Sequence, residues 1–337
     1  MSAVPCLDAL QSSAPPWLMQ AVADDIAAVE FLIAREIESQ LPTVESAARN
    51  IFTAGGKRLR PAIVSLAARA TGKPFRSTRV HLIGAAMEMV HMATLIHDDV
   101  IDESRTRRGR PTANALYGNR IGVLAGDVLL SKAMRLLAMD DDLGLMRMVA
   151  EAVVAMSEGE VAEVESLGCL DLTPQKHLEI VRKKTAVFVE ACCRAGARIG
   201  GADQTEEELL GKYGHHVGMA FQLADDILDF RGDPEKTGKA IGGDFREGCP
   251  TLPVIHALVS APDSDRDILR RQFGRDADNG RMTEVISMIE RSGGFERARE
   301  LAVAHVQSAM ASLSPLPDTP AAACLARIAD FVVSRDR

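Results

Sequence analysis

Twice the sequence sets three aspartates at i, i+1 and i+4 inside an apolar stretch of helical period. "LIHDDVIDESRTRRG" (residues 95–109) carries Asp98, Asp99 and Asp102; "LADDILDFRGD" (223–233) carries Asp225, Asp226 and Asp229. On a helix, i and i+4 share a face and i+1 lies about 100° round, so each set fans its carboxylates over one patch. Like-charge repulsion opposes that arrangement unless a cation or a proton intervenes. A single acidic run reads as a solvated helix face, but the repetition argues otherwise. With 25 Asp in 337 residues, the pattern D-D-x-x-D is expected about 0.13 times, and two by luck about once in a hundred such chains. Leu95, Ile96, Val100 and Ile101 flank the first set, and Leu223, Ile227, Leu228 and Phe230 the second. Acids among apolar neighbours suggest a lined pocket. The two patches are therefore expected to face each other across a cavity. Mg²⁺ suits them, because it takes one or two carboxylates and fills its shell with phosphate oxygens and water.

The scaffold around these patches reads as helical. Hydrophobic residues make up 47%, charged residues 26% and aromatics only 4%, a soluble globular balance that favours helix over sheet. Apolar residues recur at helical spacing over 17–41, 59–70, 78–101, 121–138, 143–167, 174–200, 204–230 and 296–313. Breakers such as "AGGKRLRP", "RRGRPT" and "SPLPDTP" separate these blocks, and no alternation suggests a strand. The expected architecture is one all-α domain over 17–337, behind a mobile segment 1–16. A net charge of −8 without a basic stripe excludes an electrostatic nucleic-acid binder. No uninterrupted apolar run approaches the roughly 20 residues of a membrane span, and no secretory leader is evident. Six cysteines without CxxC spacing point to reduced thiols in the cytosol.

Cations accompany the acids. "GGKRLRP" (55–61) follows a Gly pair and precedes a helix, yet Arg58 stands where a P-loop would carry Ser or Thr. Lys57 and Arg60 can still clamp a diphosphate as point charge and bidentate fork. Arg107 and Arg108 follow the first triad, "KKTA" brings Lys184 and Thr185, Gln222 lies one turn before Asp226, and Lys239 occupies the Gly-rich loop beyond the second triad. His91 and His97 flank the first triad, and so few histidines argue against zinc.

Taken together, "GGKRLRP", "HDDVIDESRTRRG", "GDVLLSKA", "KKTA" and "FQLADDILDFRGDPEKTGKAIGGD" resemble the motifs of trans-polyprenyl diphosphate synthases, in the same order and over nearly the whole chain. The nearest likeness is to long-chain members of the octaprenyl, solanesyl and decaprenyl kind, which supply quinone side chains. The resemblance implies an all-helical isoprenoid synthase fold around a deep central cavity, a homodimer, and Mg²⁺, three ions per active site. It implies that Asp98 and Asp102, with Asp99 beside them, bind the metal of an allylic diphosphate, with Asp225, Asp226 and Asp229 on the facing wall. Lys57, Arg60, His91 and Arg108 match positions that grip isopentenyl diphosphate. Arg107, Lys184 and Lys239 match contacts to the allylic diphosphate, and Thr185 and Gln222 match groups near the developing carbocation. No protein nucleophile is needed, in keeping with the absence of a Ser-His-Asp or Cys-His pattern. A very greasy product implies peripheral visits to a membrane at most.

Two further positions bear on product and activity. Ala93 and Thr94 precede Asp98 by about one turn, where short-chain relatives tend to carry bulky aromatics as a floor; Val90 and Met87 continue the same line. Small residues there imply an open pocket and a long product, although they also suit close helix packing. "REGCPTLP" departs from the pattern, since relatives generally have Lys where Cys249 stands. Either Lys239 or Arg246 compensates, or allylic binding is weaker. The competing readings are a shorter-chain synthase making farnesyl or geranylgeranyl diphosphate, a terpene cyclase, and a partner subunit of a heteromeric synthase.

Overall fold

The computed structural model describes residues 15–232, 241–275 and 279–334. Helices dominate throughout, as composition and periodicity predict. The chain gathers into two compact units: one of Met1–Met148, Cys192–Glu208 and Leu316–Leu325, the other of Val149–Ala191, Leu209–Pro315 and Ala326–Arg337.

The first unit opens with α1 (Pro16–Glu36), whose Leu18, Val22, Ile26, Val29 and Ile33 form a fully buried stripe. It ends five residues before the expected boundary. Pro42 forces Leu41 into an extended conformation (φ −102°, ψ 104°), and a new helix, α2 (Pro42–Thr53), starts there with Pro at its first turn. Periodicity missed α2 because it is short and runs straight into the Gly pair. α3 (Leu59–Ala70) and α4 (Ser77–Ile101) follow, and then a small hairpin, β1 (Thr106–Arg107) paired with β2 (Arg110–Pro111). No strand was expected here. The hairpin closes on Arg108 (φ 51°) and Gly109 (φ 73°), two left-handed residues as a tight two-residue turn requires. α5 (Ala113–Tyr117) and α6 (Asn119–Ala138) come next, with α4 packing most extensively on α6, and then α7 (Leu143–Ser166), whose residues from Val149 on belong to the second unit.

α4 is long and largely apolar. By length and mean hydropathy it could cross a membrane, but 67% of its apolar window is buried inside the protein, which marks it as a core helix. At one point backbone approach sets the packing: a Cβ on Gly196 would sit 2.7 Å from Ala67 Cβ on α3.

In the second unit, α8 (Pro174–Val181) passes into a π-helical turn at Arg182–Ala186 and then α9 (Val187–Ile199), whose residues from Cys192 on belong to the first unit. α10 (Gln204–Arg231) is followed by α11 (Gly243–Glu247), α12 (Leu252–Ser260), α13 (Asp263–Gln272), α14 (Asn279–Arg291), α15 (Gly294–Leu313) and α16 (Pro320–Ser334). The sequence reading left 243–291 and 320–334 without helices. Most of these elements are short, so each offers fewer repeats of the apolar stripe. Their core is a cluster around Phe230, Phe245, Phe273 and Phe295, with edge-to-face ring pairs 5.3–6.4 Å apart. This cluster anchors the end of α10, and so the second triad, against α11 and α15.

Candidate active site

In the first unit the triad ends α4. Asp98 and Asp99 lie on the helix, whereas Asp102 caps it, its amide still bonded to the Asp98 carbonyl at 2.8 Å. The three acids differ sharply. Asp99 is 2% exposed and paired through Oδ1 with Arg107 Nε at 2.8 Å, while Asp98 is half-buried and Asp102 exposed. The hairpin turn brings Arg107 back onto Asp99. Asn114 Nδ2 donates to the Asp99 and Ser104 carbonyls (2.9 and 3.0 Å), fixing the loop between triad and hairpin.

The Gly-rich loop is organised by Arg58, a residue without a role in the motif reading. Arg58 is buried in a left-handed conformation (φ 47°), its guanidinium paired with Glu30 and Glu88 (3.0 Å each), donating to the Phe52 carbonyl (2.8 Å) and stacked on the Phe52 ring. It is a structural bracket, and only its burial reveals that. The bracket sets the path of Gly55, Gly56 and Lys57. Arg108 lies against this path, with Nη1 on the Gly55 carbonyl; a Cβ on Gly56 would sit 2.9 Å from the same nitrogen.

Arg60 Nε is buried without a hydrogen-bond partner among the described residues. Desolvation and the charges of Arg60, Arg108, Arg107 and Arg58 hold His91 well below the ordinary imidazole range, so it is neutral at pH 7. An orphaned guanidinium nitrogen beside an imidazole depressed by positive charge is what an anion site looks like before the anion arrives. His97 is spent elsewhere, with Nε2 3.2 Å from the Val123 carbonyl and 3.3 Å from Asp127.

In the second unit α10 carries the other triad. Asp226 is 2% exposed; its Oδ1 accepts from Gln222 Nε2 and its Oδ2 lies by His177 Nε2, both at 3.1 Å. Thr185 Oγ1 donates to Gln222 Oε1 at 2.9 Å, so the two residues expected near the carbocation are joined. Asp229 accepts from the Gly243 and Asp244 amides, both at 3.2 Å, at the start of α11. Asp225 is half-buried. Burial, followed by the charges of Asp229, Asp226 and Glu163, drives the Asp244 carboxyl well above the usual range. The surroundings of Asp244 are thus short of positive charge.

Lys184 lies in the π turn and pairs with Glu160 at 3.0 Å and with Glu163. Desolvation alone would lower its pKa, but Glu163 and Glu160 outweigh it and hold the ammonium above its ordinary value. Cys249 Sγ is 3.8 Å from Glu163 Oε1, and burial and that carboxylate push the thiol up, so it stays protonated. Lys239 lies outside the described residues. Ala93 is fully buried, and the half-buried Thr94 turns its hydroxyl back to the His91 carbonyl at 2.9 Å.

The donors fit a hard cation, because both triads offer oxygen alone. Among the described residues no three His, Cys, Asp or Glu side chains are gathered closely enough to hold a metal by themselves. Phosphate oxygens and water are the complement such carboxylates need around Mg²⁺.

An all-helical scaffold bearing two acidic triads and a Gly-rich cationic loop defines a class that works on diphosphates. The polyprenyl synthetase family model matches residues 41–289, and the chain belongs to that family. It is 36% identical to octaprenyl diphosphate synthase of Escherichia coli (strain K12), over 94% of this chain and 97% of that protein. A decaprenyl diphosphate synthase from Rhodobacter capsulatus superposes with a TM-score of 0.89 at 37% identity, covering 95% of this chain and 98% of that one. A polyprenyl synthase from Caulobacter crescentus CB15, solved with calcium and isoprenyl diphosphate, gives 0.90 at 35% identity and the same coverage.

Proposed function

We propose that this chain adds isopentenyl diphosphate units head-to-tail to an allylic diphosphate and releases a long all-trans polyprenyl diphosphate for quinone side chains. The observation that carries this reading is the pair of D-D-x-x-D triads, each with its middle acid buried and pinned, in a chain of the polyprenyl synthetase family. Asp98, Asp102, Asp225 and Asp229 would hold Mg²⁺, three ions per site. When bound, the metal supplies positive charge that neutralises the departing diphosphate.

Lys57, Arg60 and Arg108, with neutral His91, bind isopentenyl diphosphate through charge-assisted hydrogen bonds. Arg107, Lys184 and Lys239 bind the allylic diphosphate and stabilise its negative charge as the C–O bond breaks. The isopentenyl double bond then attacks the allylic carbocation, and a C–H bond breaks to restore an alkene, its proton going to the released diphosphate. Thr185 Oγ1 donates to Gln222 Oε1, and the linked pair would stabilise the developing cation as dipoles. Ala93 and Thr94 leave the elongating chain room. We assign the working state to a homodimer; the exposed apolar side chains of Leu116, Tyr117, Val123 and Leu124 support a covered face there.

The test is turnover by the purified chain alone. Farnesyl diphosphate, labelled isopentenyl diphosphate and Mg²⁺ are expected to give dephosphorylated products in the octaprenyl to decaprenyl range on thin-layer analysis. Accumulation of geranylgeranyl products would move the reading to a shorter-chain synthase. Absence of incorporation would refute it.

A further inference from the structure

The two triads share an asymmetry that D-D-x-x-D spacing does not disclose. The i and i+4 acids are half-buried or exposed, and Asp229 accepts from two backbone amides, while the i+1 acid is fully buried and held by side chains: Asp99 by Arg107, Asp226 by Gln222 and His177. Both Asp226 oxygens are taken. The partner at Oδ2, His177, is itself 6% exposed and belongs to no motif. It sits on α8, where Thr173 caps the helix by accepting from the Lys176 amide at 3.3 Å and Pro174 opens the first turn. The same segment continues into the π turn bearing Lys184 and Thr185.

We infer that His177 is a positioning residue: by holding Asp226 Oδ2 from α8, it keeps that carboxylate turned inward and so fixes the turn of α10 from which Asp225 and Asp229 reach a divalent cation. The inference rests on the proposed reading of the triads as metal-binding. A buried carboxylate without partners is costly, so Asp226 keeps its inward orientation only while both oxygens are satisfied. If His177 is removed, Oδ2 loses its donor, and the side chain rotates toward its acidic neighbours. Rotation would add charge where Asp229, Asp244 and Glu163 already repel one another. The geometry offered by Asp225 and Asp229 then changes. Partners one step behind metal ligands commonly matter this way, at about 10–100-fold in affinity.

The experiment uses the full chain with a thiolated allylic diphosphate that cannot ionise, and counts Mn²⁺ by electron paramagnetic resonance. His177→Phe keeps the volume and removes the donor; His177→Gln restores a donor near the Nε2 position. The expected result is Mn²⁺ binding weakened about 10-fold in His177→Phe and largely recovered in His177→Gln. In turnover, the KM for isopentenyl diphosphate stays put while the Mg²⁺ needed for half-maximal rate rises. If His177→Phe does not fold, His177→Asn, whose amide falls short of Asp226, carries the same test. Equal Mn²⁺ uptake by wild type and the donor-less variant overturns the inference and leaves the reading of the triads intact. A loss that His177→Gln does not recover also overturns it. If wild type itself takes up no Mn²⁺ with the analogue, the reading and the inference fall together.

Discussion

Arg58 shows how one side chain governs a loop it does not belong to chemically. Its two ion pairs to Glu30 and Glu88 are almost fully desolvated, with side-chain exposures of 2–4%. Removing one partner of a buried pair leaves charge uncompensated, at about 3–5 kcal/mol. Arg58→Met is therefore expected to lose about that much stability in urea unfolding, and a loss below about 1 kcal/mol would contradict the bracket. Cys249 poses the opposite case, a cation missing where one is useful. Cys249→Lys would place an ammonium beside Glu163, now shared with Lys184, and free Lys184 for an anion. The expected result is a lower KM for the allylic substrate. An unchanged KM would mean that Arg246 or Lys239 already does the work. At this scale the six aspartates could be singled out by spacing alone, because repetition made them improbable. Arg58 and His177 could not, because a lone Arg or His has no pattern and its role lies in what buries it.

Helices carry the next level of control. The π turn at Arg182–Ala186 falls inside a stretch that periodicity reads as one uninterrupted helix, and it carries Lys184 and Thr185. Such insertions recur at functional sites because one extra residue re-aims the side chains around it. Glycines admit it: a Cβ on Gly159 would come 2.7 Å from the Lys184 amide nitrogen, and one on Gly218 2.5 Å from Ala186 Cα. Nothing in residue spacing announces a π turn, whereas the long helices bearing the triads repeat the stripe often enough to be read. On α4, Met87, Val90 and Ala93 are all fully buried below Asp98. The floor account predicts that Ala93→Phe shortens the product by several isoprene units on thin-layer analysis. A product of unchanged length would show that Ala93 serves helix packing alone.

For the whole molecule, charge is distributed by task. The chain carries a net −8, yet Arg60, Arg107 and Arg108 depress His91 in one unit while carboxylates raise Asp244 in the other. Positive charge thus gathers around His91 in the first unit and is scarce around Asp244 in the second. Fold class and family were legible from motif order; the division into two compact units was not, because each unit is assembled from segments distant in sequence. Both triads are expected to recruit a divalent cation to a prenyl diphosphate. Equilibrium dialysis of Mn²⁺ with a thiolated allylic analogue measures it directly, comparing wild type with Asp98→Asn and Asp225→Asn. The account predicts that wild type takes up three ions per chain only when the analogue is present, and that either substitution lowers the uptake. Uptake indifferent to the analogue, or unchanged in both variants, would contradict it.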